Sequence, residues 1–387
     1  MEKEFDVIIA GGGMVGASLA CGLAMQGFRV VILESHPPEA FNADSQPDIR
    51  LSAFSLGSEK LLRQLGAWSA IESMRLTPYT GLETWEAGMA ERVHFDCQEI
   101  GADHLGYMIE NRIVQIALWE RFQALKVSVL EWCDWELQGR ENDVRIRCGD
   151  QTIFGKLLIG ADGANSQVRQ QVGIGISGWD YRQYCLSINI KLDEPAPPLT
   201  WQEFHPSGPR ALLPLFDSYA ALIWYDQCSQ VNQLKKLSAQ SLKLRIKQDF
   251  PPLSGDFEVL NCSSFPLTRR HAHHYFSGRI VLAGDAAHTI HPLAGQGVNI
   301  GFKDVTRLLQ LCEKYGLKHH PKEWLGQYQR QRKLDNLMMQ STMDLFYKAF
   351  SSENACIGQL RRLGLLAAQH GGLVKRQALR YAVGLGR

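Results

Sequence analysis

The stretch FDVIIAGGGMVGASLACGLAMQGFRVVILES, residues 5–35, sets the frame for the whole chain. Its apolar run from Phe5 to Ala10 predicts a buried strand, Met14 to Gly27 a helix, and Arg29 to Leu33 a second strand. Gly11, Gly13 and Gly16 form a G-x-G-x-x-G between the first strand and the helix, with Met14 and Val15 in the gap. In such a βαβ unit the first glycine permits a tight turn and the second lets the backbone approach a pyrophosphate. The third lets helix and strand pack closely, and the helix amides receive the phosphates. Glu34, ending the second strand, is placed to accept hydrogen bonds from ribose hydroxyls. A plain tight turn would explain the glycines alone. Strand, helix and acid at this spacing favour a dinucleotide site.

The nineteen residues from Val7 to Met25 carry no charge and are long enough for a membrane helix. Five glycines interrupt them and acidic residues precede them, so strand, turn and helix explain the run better. At 387 residues the chain suits two domains, and 45% hydrophobic with 21% charged residues is a globular composition. The balance of 41 basic and 40 acidic residues leaves +1, which offers no field for nucleic acid. Nine cysteines without a CxxC pair point to reduced thiols in a cytoplasmic compartment, not to a disulfide framework or a thiolate metal site.

Outward from the opening unit, residues 56–66 look helical, with Leu56, Leu61, Leu62 and Leu65 on one side and Gly66 as the stop. Residues 111–125 predict another helix, capped by Asn111. Leu157 to Ile159 is a short apolar strand running into a second turn, Gly160-Ala161-Asp162-Gly163, with Arg169 shortly after. Between 176 and 268, aromatic-rich runs such as YCLSINIKL and YAALIWY are broken by Pro, Gly and Asp, which predicts antiparallel strands. A buried strand returns at RIVLA, residues 279–283. A third turn follows, Gly284-Asp285-Ala286-Ala287-His288, continuing through His291-Pro292 to Gly295-Gln296-Gly297. Beyond residue 320 the pattern is helical.

In order and spacing these three motifs resemble those of the FAD-dependent aromatic hydroxylases, the single-component monooxygenases of the para-hydroxybenzoate hydroxylase fold. The segments SQPDIRLSAFS, LGYMIENRIVQ, LIGADGANSQVR, GPRALLPL, FPLTRRHA and GDAAHTIHPLAGQGVN extend the resemblance over nearly the whole chain. They point to the ubiquinone-biosynthesis branch, the polyprenyl-benzoquinol hydroxylases, and above all to its members acting on demethoxyubiquinol. The implied fold class is α/β. A discontinuous Rossmann-like FAD-binding domain (1–75, 109–175 and 269–350) carries an inserted antiparallel-sheet substrate domain (76–108 and 176–268) and a basic helical C-terminal segment (351–387).

The resemblance implies FAD as cofactor, NAD(P)H or another reductant as electron donor, and dioxygen and a polyprenyl quinol as substrates, by way of reduced flavin and a flavin hydroperoxide. Another ring position, another aromatic substrate, or an assembly subunit that holds FAD without catalysis stay open. The implied cofactor-binding set is Gly11, Gly13, Met14, Val15, Gly16 and Glu34 in the first motif and Asp162 in the second. The third motif adds Gly284, Asp285, Pro292, Gly295, Gln296, Gly297, Val298 and Asn299. Arg50 and Arg112 match positions beside the flavin, and Arg50, His291 and Pro292 are the flavin-side candidates for catalysis.

No metal is expected, since His271, His273 and His274 cluster without an acid or cysteine at useful ligand spacing. His288 and His291 are expected to line the flavin end of the pocket. A prenyl tail needs an apolar channel, expected around Phe204, Leu213, Phe216 and Trp224. The last 34 residues, Asn354 to Arg387, hold six Arg or Lys and no acid, with Leu and Ala at roughly helical spacing. Such a helix either meets an anionic bilayer or partner proteins of a ubiquinone-biosynthesis complex, or closes the domain. The expected location is cytoplasmic, at most peripheral to the inner face of the membrane.

Overall fold

Four consecutive buried residues, Val7–Ala10 (β1), form an inner strand of a parallel sheet, which is why the run shows no polar alternation. The computed structural model describes residues 2–132, 134–139, 143–290, 297–317, 321–350, 361 and 371–385. The helix Met14–Met25 (α1) and the strand Val30–Leu33 (β2) complete the opening βαβ unit. Leu51–Ser55 (β3) leads into Leu56–Gln64 (α2), and Gly66 at φ 73° ends that turn.

Gly81–Glu86 (β4), Val93–Asp96 (β5) and Gly106–Glu110 (β6) precede the helix Asn111–Leu125 (α3). The residue at the cap of α3 is Glu110. Asn111, the expected cap, is already helical, and its side chain instead accepts the Ser52 hydroxyl at 2.8 Å. Ser128–Leu130 (β7), Leu157–Gly160 (β8) and Gln167–Gln171 (α4) follow. The next stretch holds Ile176–Leu192 (β9), Leu199–Phe204 (β10), Arg210–Pro214 (β11) and Tyr219–Gln227 (β12). After them come Cys228–Leu234 (α5), Ala239–Asp249 (α6) and Phe257–Ala272 (β13). Ile280–Leu282 (β14), Gly297–Tyr315 (α7), Lys322–Phe350 (α8) and Gly372–Ala382 (α9) complete the described elements used below.

Two large sheets organise these elements. In the first, the order is Phe276–Ser277, β14, β8, β1, β2, β7, parallel throughout except at the two-residue edge strand. The three glycine turns follow β1, β8 and β14, which lie side by side, so all three emerge at one end of the sheet. The second sheet has eight strands in the order His288–Thr289, β13, β9, β12, β11, β10, β4, β5. It is antiparallel except where β10 runs parallel to β4.

Alternation divides β9 and β12 between two environments. Leu186, Ile188, Leu222 and Trp224 pack with Val231 of α5, Ile246 of α6 and Phe250 just after it, and their neighbours face the other way. A small sheet of β3, β6 and Thr77–Tyr79 lies between the two systems in sequence, and a four-stranded sheet joins Glu2–Glu4 to residues 136–155.

Candidate functional site

Backbone contacts, more than side chains, build the end of the parallel sheet. Gly11 adopts φ 97° and its N–H donates to the Leu33 carbonyl at 2.9 Å. A Cβ on Gly11 would stand 2.5 Å from the Ala161 carbonyl oxygen, and one on Gly16 only 1.9 Å from the oxygen of Gly11. Both positions therefore require glycine. At Gly13 the reverse holds. Among the described residues a Cβ there would meet nothing within 4 Å, so the space before the N-terminus of α1 is open. No acidic residue occupies the first turn of α1, which leaves its positive end free for an anion.

Glu34 reaches this turn, but partly for structural work. Its carboxylate accepts the Gly12 N–H at 2.7 Å and the His36 N–H at 2.9 Å. The Gly12 carbonyl in turn accepts Gln115 Nε2 at 2.9 Å and Trp119 Nε1 at 2.8 Å, both from α3. These two clamps stand more than a hundred residues from the glycines, and no local signal in the sequence marks them.

The second turn is pinned to the first by the Ala161 N–H on the Ala10 carbonyl, 2.8 Å. Asp162 accepts the Val168 N–H at 3.0 Å through one oxygen, while its other oxygen is buried and, among the described residues, without a hydrogen-bond partner. A buried carboxylate oxygen left open in this way needs a donor from a ligand or water. Arg169 ties the second turn to the third, donating to the Ala286 carbonyl at 2.8 Å and the Ala164 carbonyl at 2.9 Å.

The third turn rests on a buried polar cluster. Gly284, at φ 60°, donates to Asp304 at 3.0 Å, and the same carboxylate meets His288 Nε2 at 2.5 Å and Arg332 Nε at 2.7 Å. Arg332 also reaches Asn336, which donates to the Tyr275 hydroxyl at 3.0 Å. Burial alone would raise the Asp304 carboxyl, yet His288 and Arg332 outweigh it and hold it below its ordinary value. His288 is therefore part of the support beneath the turn, held inward by Asp304 on α7.

Asp285 behaves differently. Its side chain is exposed, yet desolvation by the protein packed around it raises its pKa, with His288 opposing and Asp304 adding to the rise. A carboxylate on the floor of a concave surface satisfies both observations. An orphaned Asp162 oxygen, an open Gly13 and an exposed Asp285 at the carboxyl ends of adjacent parallel strands fit an extended dinucleotide such as FAD.

The remaining expected residues divide. His291, Pro292, Gly295 and Gln296 lie outside the described residues. Gly297, Val298 and Asn299 open α7, but the Asn299 side chain is committed internally. It accepts the Ser55 N–H at 3.1 Å and the Ser58 hydroxyl at 2.6 Å, and donates to the Ala53 carbonyl at 2.8 Å. Arg50 is exposed, and its backbone N–H bonds Asp48. Arg112 donates to Ser45 at 2.7 Å, and its buried Nε makes no hydrogen bond among the described residues but lies 3.9 Å from Glu110 and 4.0 Å from Asp48. Sequence reasoning passes over Arg75, which grips Glu110 with bonds of 2.5 and 2.9 Å between the Phe41 and Phe216 rings. Among the histidine trio, His271 is buried against Gln340 and His273 bonds Ser177.

Beside β3 and the start of α7 lies a cavity of about 150 Å³ lined mostly by apolar side chains. Leu51, Ala53, Tyr79, Met108, Leu213, Ile223 and Tyr225 contribute to its wall, with Leu379 and Val383 from the C-terminal region. Of the four residues expected to form an apolar channel, Leu213 alone lines it. Trp224 points to the opposite face of β12, its ring 5.2 Å from that of Phe250, because strand alternation sends Ile223 and Tyr225 to the cavity and the residue between them away. Phe204 stacks on Phe350, and Phe216 packs under Arg75.

A family model described as FAD binding domain matches residues 4–335. A 3-demethoxyubiquinol 3-hydroxylase of Escherichia coli (strain K12) is 46% identical, covering 99% of this chain and 100% of that one. The ubiquinone hydroxylase UbiL of Rhodospirillum rubrum is 33% identical over 99% of this chain and 90% of its own. Among solved structures, p-nitrophenol 4-monooxygenase PnpA of Pseudomonas putida DLL-E4 superposes with a TM-score of 0.80 at 20% identity, covering all of both chains. That likeness shares the fold.

Proposed function

The chain belongs to the FAD-binding-domain family, and from that premise we propose that it hydroxylates the ring of a polyprenylated benzoquinol at the demethoxyubiquinol stage of ubiquinone biosynthesis. It is an FAD-dependent monooxygenase. The observation that carries the substrate reading is 46% identity to a 3-demethoxyubiquinol 3-hydroxylase over 99% of this chain and 100% of that one. In this reading residues 1–75, 109–175 and 269–350 hold the cofactor, and 76–108 with 176–268 hold the ring.

The N-terminus of α1, with Gly11 and Gly13, would receive the pyrophosphate, and Glu34 a ribose. Asp162 and Asp285 would accept hydrogen bonds from the rest of the cofactor. The first-turn N–H groups of Gly297, Val298 and Asn299 set the positive end of α7 towards whatever charge develops beside them. FAD bound there, reduced by NAD(P)H, supplies the chemistry that activates dioxygen.

The protein's remaining work is to orient the ring and exclude water, and the apolar cavity does both. Burial pushes the Tyr79 phenol up to about 12. A phenol is protonated at neutral pH, so Tyr79 on the cavity wall can donate to a ring oxygen. A quinol bears two activating hydroxyls, so the reaction does not demand a strong base.

Among the described residues no helix is long and apolar enough to cross a membrane. Leu373 and Val374 are each 73% exposed on α9, close to the exposed Arg376 and Arg380. We read this outer face as a contact with the anionic lipid surface that holds a prenylated substrate. The main test supplies reduced demethoxyubiquinone, NAD(P)H and dioxygen and follows the product by mass. A gain of one oxygen supports the reading, whereas NAD(P)H oxidation giving only peroxide with each quinol overturns it.

A further inference from the structure

We propose that α9 completes a subsite for the isoprenoid tail of the substrate, and that Ala382 limits how much hydrocarbon the subsite admits. The inference rests on the quinol reading above.

The cavity wall is drawn from two apolar clusters that share Tyr79. The first contains Ala53, Met108 and Leu213 and adjoins Asn299, which bonds Ala53 and Ser55. It therefore borders the first turn of α7, directly after the third glycine motif. The second contains Leu82, Leu105, Leu379 and Val383, so α9 and the residue after it form one of its sides. A quinol ring carries oxygens that need hydrogen-bond partners, whereas an isoprenoid chain has none. The polar groups at the α7 end suit the ring, and the hydrocarbon side by α9 suits the tail.

The helix is held in this position by specific contacts, so its place in the wall is not incidental packing. The Gly57 N–H donates to the Val383 carbonyl at 3.1 Å. A Cβ on Gly57 would come within 3.1 Å of the Gly384 oxygen, and Gly384 itself adopts φ 80°. Lys375 bonds Glu99 at 2.9 Å with its ammonium 5.1 Å from the Phe95 ring, and Lys303 lies 4.8 Å from the ring of Tyr381. Within this anchored helix Ala382 lines the cavity while remaining exposed, which places a small side chain at the rim and not in the core. A larger side chain there would fill cavity space without displacing buried neighbours.

The test compares Ala382→Trp with Gln377→Trp, an exposed position on the same helix that does not line the cavity. Both holoenzymes are assayed with a quinol bearing a long isoprenoid tail and with a tail-less analogue, and flavin content is read from absorbance. Ala382→Trp is expected to lower kcat/KM for the tailed quinol roughly tenfold, chiefly through KM, and to leave the tail-less analogue within about twofold, since burial scales with methylenes lost. Gln377→Trp should change neither, with flavin content normal in both. Equal losses on both quinols, or no loss on either, would overturn the tail subsite while the hydroxylase reading stands. An unsubstituted enzyme that hydroxylates neither quinol overturns both.

Discussion

At the ends of β1, β8 and β14 three turns meet backbone to backbone, whereas the cavity between β3, β12 and α9 is walled by side chains from several distant stretches. The first region is specified by what cannot be present. No Cβ fits at Gly11 or Gly16, and the chain path follows from that exclusion. The second is specified by which of two faces a side chain takes, and neighbouring hydrocarbons can replace one another there at modest cost. In the proposed reading, a cofactor common to many reactions would be held by this backbone-built cradle. The cavity proposed for the substrate is built from exchangeable side chains.

The largest expected effect lies beneath the cradle. Asp304→Ala removes the carboxylate that Gly284, His288 and Arg332 share, leaving the buried Arg332 guanidinium with Asp335 and Asn336 but without the carboxylate on its Nε. The expected loss is about 3–5 kcal/mol of stability, measured by denaturant unfolding at pH 7. Because the folded Asp304 carboxyl is held below 3.8, its contribution is fully present above the unfolded value and lost as pH falls through the folded one. The gap between wild type and variant should therefore narrow in acid. A gap independent of pH would show that the cradle does not depend on this charge.

Next in size is the contrast between two glycines of one motif. Gly16→Ala drives a methyl into the Gly11 carbonyl, costing about 1–3 kcal/mol, so FAD affinity falls roughly ten- to a hundredfold and the apoprotein melts earlier. Gly13→Ala points into open space, so FAD affinity should fall while apoprotein stability changes by less than about 0.5 kcal/mol. Titration of apoprotein with FAD, paired with thermal unfolding, separates the two. Equal destabilisation by both would mean that Gly13 is also a packing glycine.

The two regions differ in the same way in how far the sequence reveals them. The roles of Gly11, Gly13 and Gly16 are written in the residue type itself and within about thirty positions of Glu34, so spacing along the chain carries them. Gln115, Trp119 and Asp304 support the same turns across distances that no local period records, and only folding brings them near. In β12 the alternation is plain, but it defines two faces without saying which looks into a cavity. The cover provided by α5 and α6 decides that, and so Trp224 goes to the core and Ile223 to the wall. The basic C-terminal stretch shows an amphipathic helix but not its seat, since Glu99, Phe95 and Leu105 that receive α9 lie some 275 residues earlier.

That facing can be broken directly. Ile223→Trp adds bulk to the cavity and should raise KM for the quinol roughly tenfold, with flavin content unchanged. Trp224→Phe, one residue along on the opposite face, should leave KM within about twofold while lowering stability. Steady-state kinetics on both variants decides the matter. A KM effect from Trp224→Phe as large as that from Ile223→Trp would mean that the cavity is not where the quinol sits.

The smallest expected effect tests whether Glu34 belongs to the cradle or to the ligand. Its carboxylate already accepts the Gly12 and His36 N–H groups, so it shapes the glycine turn before any ribose arrives. Glu34→Gln keeps the shape but turns charge-assisted bonds into neutral ones, about half as strong, and a loss near 1 kcal/mol follows. FAD affinity should therefore fall about fivefold, with kcat at saturating FAD unchanged, because in the proposed reading Glu34 meets a ribose and not the reacting ring. If the apoprotein loses the same free energy, the effect belongs to the turn through Gly12. If apoprotein stability is unaffected while FAD binding weakens, the charge acts on the ribose. An unchanged FAD affinity would remove Glu34 from the site.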